Sequence, residues 1–84
     1  MPYMKQARRQ HLDMHLKEMS KIINNGGDLN YCFSKLGKFF IQIKGESYQN
    51  YSTIISSLEC AKLEYYRRFI APYEDKKIEE NGDI

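Results

Sequence analysis

Lys62 is the residue whose type and position first suggest chemistry. On a helix through residues 48–71 it projects between Ile55 and Phe69, on an apolar side. An ammonium there must snorkel to water, pair with a carboxylate or meet an anionic ligand. Glu59, three residues earlier, can form an ordinary ion pair with it. The alternative is anion capture, in which Lys62, Arg67 and Arg68 supply charge for a phosphate and Tyr65, Tyr66 or Tyr73 offers a ring on which a base stacks. Arg67 and Arg68 project to different sides of a regular helix, so one chain is expected to use only one of them. Glu64 is placed to neutralise Arg68 at spacing four. Asn30 and Tyr31, off the apolar stripe of the preceding helix, are further candidate ligand contacts. Asp28 is expected to occupy that helix start as its cap.

Other reactive side chains assemble less. His11 and His15 have the i, i+4 spacing of a two-histidine metal pair, but with Asp13 as helix cap His11 falls outside the helix, and no third ligand is evident. No metal is expected. Cys32 belongs to an apolar stripe whereas Cys60 projects opposite Leu58, so an intramolecular disulfide is not expected. No nucleophile and base pair up, and phosphate-loop, dinucleotide, nucleophile-elbow and zinc-finger motifs are absent from the sequence. The expectation is a protein that is not an enzyme and carries no cofactor.

The elements that must position these residues are helices. Leu12, Leu16, Met19 and Ile23 recur at spacings of four, three and four, predicting a first helix over 13–25 that begins at Asp13 and stops at Asn24-Asn25-Gly26-Gly27. Residues 1–12 are then a basic arm. Leu29, Cys32, Phe33, Leu36, Phe39, Phe40 and Ile43 fall in one stripe about 120° wide, predicting a second helix over 29–44 that ends at Gly45. Gly37 inside it is compatible with close approach of another backbone or a ligand. Ser47 suits the cap of the longest helix, 48–71, which Pro72 ends or kinks. Pro72, Glu74 and Asp75 suit the start of a short helix over 72–80, stopped by Asn81-Gly82. The expected fold is all-α, a compact bundle of three main helices plus the short C-terminal one, in a single domain over 1–84.

Eighty-four residues exclude a large enzyme fold, and a chain this short usually needs a staple or a partner. Leu63, Tyr66 and Ile70 form a second apolar strip on the long helix, widening its apolar arc to about 200°. A helix apolar on more than one side needs more than one covering surface, so a homo-oligomer centred on the long helix is expected. Net charge is only +2. Its distribution is uneven: eight basic against three acidic groups over residues 1–45, and five against eight over 46–84. Opposed halves suit association between copies or a local anion site. The longest apolar run, Phe39-Phe40-Ile41, is far short of a membrane span. With no apolar signal region and two cysteines, a reduced, cytoplasmic setting is expected.

The segments Met1-Pro2-Tyr3, Gly27-Asp28-Leu29-Asn30-Tyr31, Ser47-Tyr48-Gln49, Leu58-Glu59-Cys60-Ala61-Lys62-Leu63-Glu64, Tyr66-Arg67-Arg68, Ala71-Pro72-Tyr73-Glu74-Asp75-Lys76-Lys77 and Glu79-Glu80-Asn81-Gly82-Asp83 carry a resemblance. Together they are similar to the pattern of a family of small all-helical proteins common in bacteriophage and prophage genomes. One departure is Met14, where that family often has a proline after the aspartate. The resemblance implies a phage setting, and the host cytoplasm as compartment, with no chemistry attached. In such a setting small helical oligomers with basic, aromatic-lined pockets sequester nucleotide immune signals. The leading expectation is therefore a non-enzymatic oligomer that binds an anionic, phosphate-bearing nucleotide between subunits. The alternatives are a helical adaptor or inhibitor of a host protein, acting through Leu63, Tyr66 and Ile70, and a weak nucleic-acid binder acting through Tyr3, Lys5, Arg8 and Arg9.

Overall fold

The computed structural model describes residues 3–84 and is all-α, with no strand among them. Its helices are α1 (Gln6–Ser20), α2 (Gly26–Lys44), α3 (Tyr48–Tyr65) and α4 (Ala71–Asn81), with a π turn (Tyr66–Ile70) joining the last two without a break. The Met1-Pro2 part of the opening motif lies outside the described residues.

The first helix is displaced from its expected limits, starting seven residues earlier than 13 and ending at Ser20 instead of 25. Residues 6–20 contain no glycine, proline or β-branched residue, so nothing in them opposes helix. Asp13 is an interior residue, and Lys5 precedes the helix without a side-chain cap. Most of the expected basic arm is thus helical. At the other end the Ser20 hydroxyl donates to the Lys17 carbonyl (2.8 Å), taking a backbone acceptor for a side chain as the helix finishes.

The Asn24-Asn25-Gly26-Gly27 stretch opens α2 instead of closing α1. Asn25, not Asp28, is the cap: its side-chain oxygen accepts from the Asp28 amide at 2.8 Å. Asp28 sits three residues inside the helix and its carboxylate accepts from the Asn24 amide at 3.0 Å. The arrangement is a close variant of the reciprocal capping box. A Cβ on Gly27 would stand 3.3 Å from the Asn25 oxygen, so glycine leaves room for the cap.

The far end of α2 follows the sequence expectation. Gly45 adopts φ 100° and ψ 152°, a region essentially reserved for glycine, and its amide donates to the Ile41 carbonyl. Ser47 caps α3 by accepting from the Asn50 amide (3.0 Å), while the Asn50 side-chain amide donates back to the Gly45 carbonyl (2.8 Å). Gly82, at φ 88°, closes α4 as expected of Asn81-Gly82.

Pro72 neither ends the long helix nor breaks it; the helix widens just before it. The Ala71 amide donates to the Tyr66 carbonyl, five residues back instead of four. A proline in a helix interior lacks a donor and drives its ring against the carbonyl four residues earlier. The π turn relieves that conflict by inserting one extra residue into the turn that precedes the ring. The consequence is a change of phase. Every residue from Ala71 onward sits about 100° behind its place on a regular helix.

By internal contacts the chain divides into residues 2–50 and 51–84. Within the first unit, α1 and α2 do not pack on each other among the described residues. In the second, α4 contacts the π turn. No described residue is buried. The α2 stripe accordingly leaves Leu29, Phe33, Leu36, Phe39 and Ile43 exposed, from 42% for Leu29 to 77% for Ile43. Cys32 and Phe40 in the same stripe are half-buried. No described helix is long and apolar enough to cross a membrane.

Candidate functional site

Six of the eight candidate residues lie on one continuous helical stretch: Lys62 and Tyr65 on α3, Tyr66, Arg67 and Arg68 in the π turn, and Tyr73 on α4. Asn30 and Tyr31 lie on α2, both exposed.

Lys62 takes the ordinary option. Its Nζ stands 3.7 Å from Glu59 Oε1, and both side chains are well exposed. The two arginines behave differently from expectation. Arg67 Nη2 donates to Glu64 Oε1 at 2.7 Å, and Arg68 Nη1 lies 3.7 Å from the same oxygen. Although the two Cα positions point to different sides, spacings of three and four let both long side chains reach back to Glu64. One carboxylate oxygen is therefore held between two guanidinium groups. The local sum of charge is positive, because two cations share one anion. Glu64 is half-buried while both arginines remain about half or more exposed. Ion pairs with exposed arginines contribute about 1 kcal/mol or less each, and another anion at the two guanidinium groups has to displace the Glu64 carboxylate.

The aromatic side chains are ordered along the same stretch. The Tyr65 and Phe69 rings sit 4.8 Å apart and tilted, and the Arg68 guanidinium lies 5.8 Å from the Phe69 centroid. Tyr73 is engaged at 5.5 Å by Lys77. On α2, Lys35 Nζ lies 5.7 Å from the Tyr31 ring and 5.6 Å from that of Phe39.

Tyr66 donates its hydroxyl proton to Glu74 Oε1 at 2.9 Å. On a regular helix residues eight apart are about 80° out of line, because eight steps of 100° overshoot two turns by that amount. The extra residue in the π turn brings the offset down to about −20°, and phenol and carboxylate fall on one face. The hydrogen bond to Glu74 and the repulsion of its charge raise the Tyr66 pKa above the usual 10.0.

Sequence reasoning missed one pairing of each of these two carboxylates, Glu64 with Arg67 and Glu74 with Tyr66. Glu64 was expected to neutralise Arg68 at spacing four, and Arg67 stands at the equally favourable spacing of three. Glu74 had no helical-spacing signal, and Pro72, just after the π turn, was the available clue. Leu63, Tyr66 and Ile70 are all exposed, between 37% and 58%. Cys32 and Cys60 are free thiols.

No curated protein and no solved structure matches the chain. The family described as Domain of unknown function (DUF6899) matches residues 1–84, and the chain belongs to that family.

Proposed function

We propose that the protein is a non-enzymatic homo-oligomer that captures a phosphate-bearing nucleotide between subunits, with Arg67 and Arg68 of one copy and Lys62 of another supplying charge. The observation that carries this reading is the convergence of two guanidinium groups on Glu64 Oε1, where the carboxylate marks the place an anionic oxygen can occupy. Phosphate offers more acceptor oxygens than a carboxylate and can engage both forks at once. The Tyr65 and Phe69 rings beside the cluster give a base an apolar face to stack on.

Assembly is supported by the exposed stripe of α2 and the exposed strip Leu63, Tyr66 and Ile70, since monomeric proteins rarely leave contiguous apolar patches of more than a few hundred Å² uncovered. In a phage or prophage setting the ligand would be a host nucleotide signal, and the compartment the host cytoplasm. Calorimetry of the full chain against cyclic nucleotides and ADP-ribose derivatives tests the reading. A saturable heat that disappears in the Arg67→Ala, Arg68→Ala double variant is expected. No heat at about 100 μM protein rules out a specific nucleotide trap.

The same exposed strip favours a second reading, an adaptor or inhibitor that lays Leu63, Tyr66 and Ile70 on a host protein. Recovery of one host protein in a pull-down, lost on Tyr66→Ala, together with silent nucleotide calorimetry, would select it.

A further inference from the structure

We infer that His11 and His15 form a binding site for a borderline divalent ion such as Zn²⁺ or Ni²⁺. Both residues lie inside α1, because the helix begins at Gln6 and Asp13 does not cap it. They are therefore one turn apart on one face, both exposed, with ring centroids separated by 5.4 Å and planes at 79°.

That separation is the one a shared ion requires. An ion about 2.0–2.1 Å from one nitrogen of each ring lies ~3.2 Å from each centroid, and a tetrahedral angle between them sets the centroids ~5.2 Å apart. The rings stand edge to face, so they must turn about their side-chain bonds for one nitrogen of each to reach a common ion. Imidazole nitrogens suit Zn²⁺, Cu²⁺ and Ni²⁺ and disfavour hard ions such as Mg²⁺ and Ca²⁺. The second imidazole acts as an intramolecular ligand once the first is bound, which raises affinity over that of a lone histidine.

Glu18, the nearest acidic residue in helical register, is already engaged. Its position is three residues past His15 and about 20° from the direction of His11, and its carboxylate pairs with Lys21 at 3.0 Å. No third His, Cys, Asp or Glu among the described residues is close enough to complete a set of three. The remaining positions on the ion are open to water or to the histidine pair of a second copy.

The test is titration of the full, untagged chain with Zn²⁺ and with Ni²⁺, in a Cys32→Ser, Cys60→Ser background so that thiols do not compete. Saturable binding is expected with a dissociation constant on the order of 10 μM. In the His15→Gln, Leu16→His double variant both imidazoles are retained but stand five residues apart, about 140° out of line, and binding weakens at least tenfold. Equal affinity in that variant, or no saturation of the parent below about 1 mM, overturns the site. Line broadening by Ni²⁺ in the natural cysteine background gives an independent readout. It should concentrate on amides around residues 11 and 15, and uniform or absent broadening there also counts against the site.

Discussion

Replacing Pro72 with alanine tests whether the proline is the cause of the π turn. Alanine restores a backbone donor and removes the ring that collides with the carbonyl four residues back. The extra residue in the turn then has nothing to accommodate, and the stretch 66–81 reverts to regular helix. Glu74 rotates about 100° around the axis, from roughly −20° to roughly 80° relative to Tyr66, and the 2.9 Å hydrogen bond is lost. The Tyr66 pKa, held up first by that bond and then by the Glu74 charge, falls back toward 10.0. Titration of Tyr66 by ¹³Cζ-tyrosine NMR measures the change one ring at a time, which seven tyrosines make necessary. Adding Tyr73→Glu places a carboxylate seven residues from Tyr66, near −20° on a regular helix, and should raise the pKa again. Because the raised pKa means that the folded chain holds this proton more tightly than the unfolded one, the stabilisation is fully present below about pH 10. It is lost as the pH rises through the folded value. An unchanged Tyr66 titration in Pro72→Ala would refute the reasoning.

Three further perturbations follow from the same structure. Phe39 is 49% exposed, so covering it in an assembly removes ~100 Å² of apolar surface and contributes up to ~2.5 kcal/mol per copy; Phe39→Asp should weaken a two-fold dimer on the order of 10³-fold by sedimentation, and an unchanged mass at about 10 μM contradicts α2 as the interface. Asn25→Ala removes the acceptor for the Asp28 amide and should cost about 1 kcal/mol in thermal or denaturant unfolding, whereas Asp13→Ala, expected from the sequence to remove a cap, should show no such loss. Gly45→Ala forces a side chain into a glycine-only conformation and should destabilise by about 1–3 kcal/mol, in contrast to Gly26→Ala, whose Cβ meets open space without a positive φ.

The helical class and the ends at Gly45 and Gly82 were legible because glycine at a positive φ is a local requirement, readable from one residue and its neighbours. Ser47 was legible for a similar reason. The start of α1 was not, because Asp13 suits a cap and a helix interior alike, and the decision rests on how well residues 6–12 continue the helix without any opposing residue. At α2 the apolar stripe begins at Leu29 while the helix begins at Gly26, so periodicity located the face and misplaced the cap by three residues. The π turn lay beyond a fixed 100° projection. Its cause, Pro72, was visible, but a proline is equally consistent with a stop, a kink or a widened turn, and the choice depends on whether the helix beyond is worth continuing.

Charged and apolar side chains are treated differently along this chain. Glu18 with Lys21, Glu59 with Lys62, Glu64 with Arg67 and Arg68, and Lys77 with Glu80 all pair within three or four residues on their own helix. Such pairs need no tertiary structure, since helix geometry alone brings the partners together. Apolar side chains have no equivalent local solution: a stripe on a single helix can be covered only by a second surface. The five exposed residues of the α2 stripe, from Leu29 to Ile43, would each contribute roughly 2–3 kcal/mol if covered, against a net stability of about 5–15 kcal/mol for a whole domain. Local ion pairs worth a few tenths of a kcal/mol cannot substitute for that. A fifteen-residue helix such as α1 is itself marginal without packing, which is where a metal ion across His11 and His15 or a second copy of the chain would have the largest effect. Ligand capture and assembly are therefore coupled in this reading: a single chain brings together only Arg67 and Arg68, on Glu64, and Lys62 and the rigidity to hold a ligand have to come from a second copy covering the exposed surfaces.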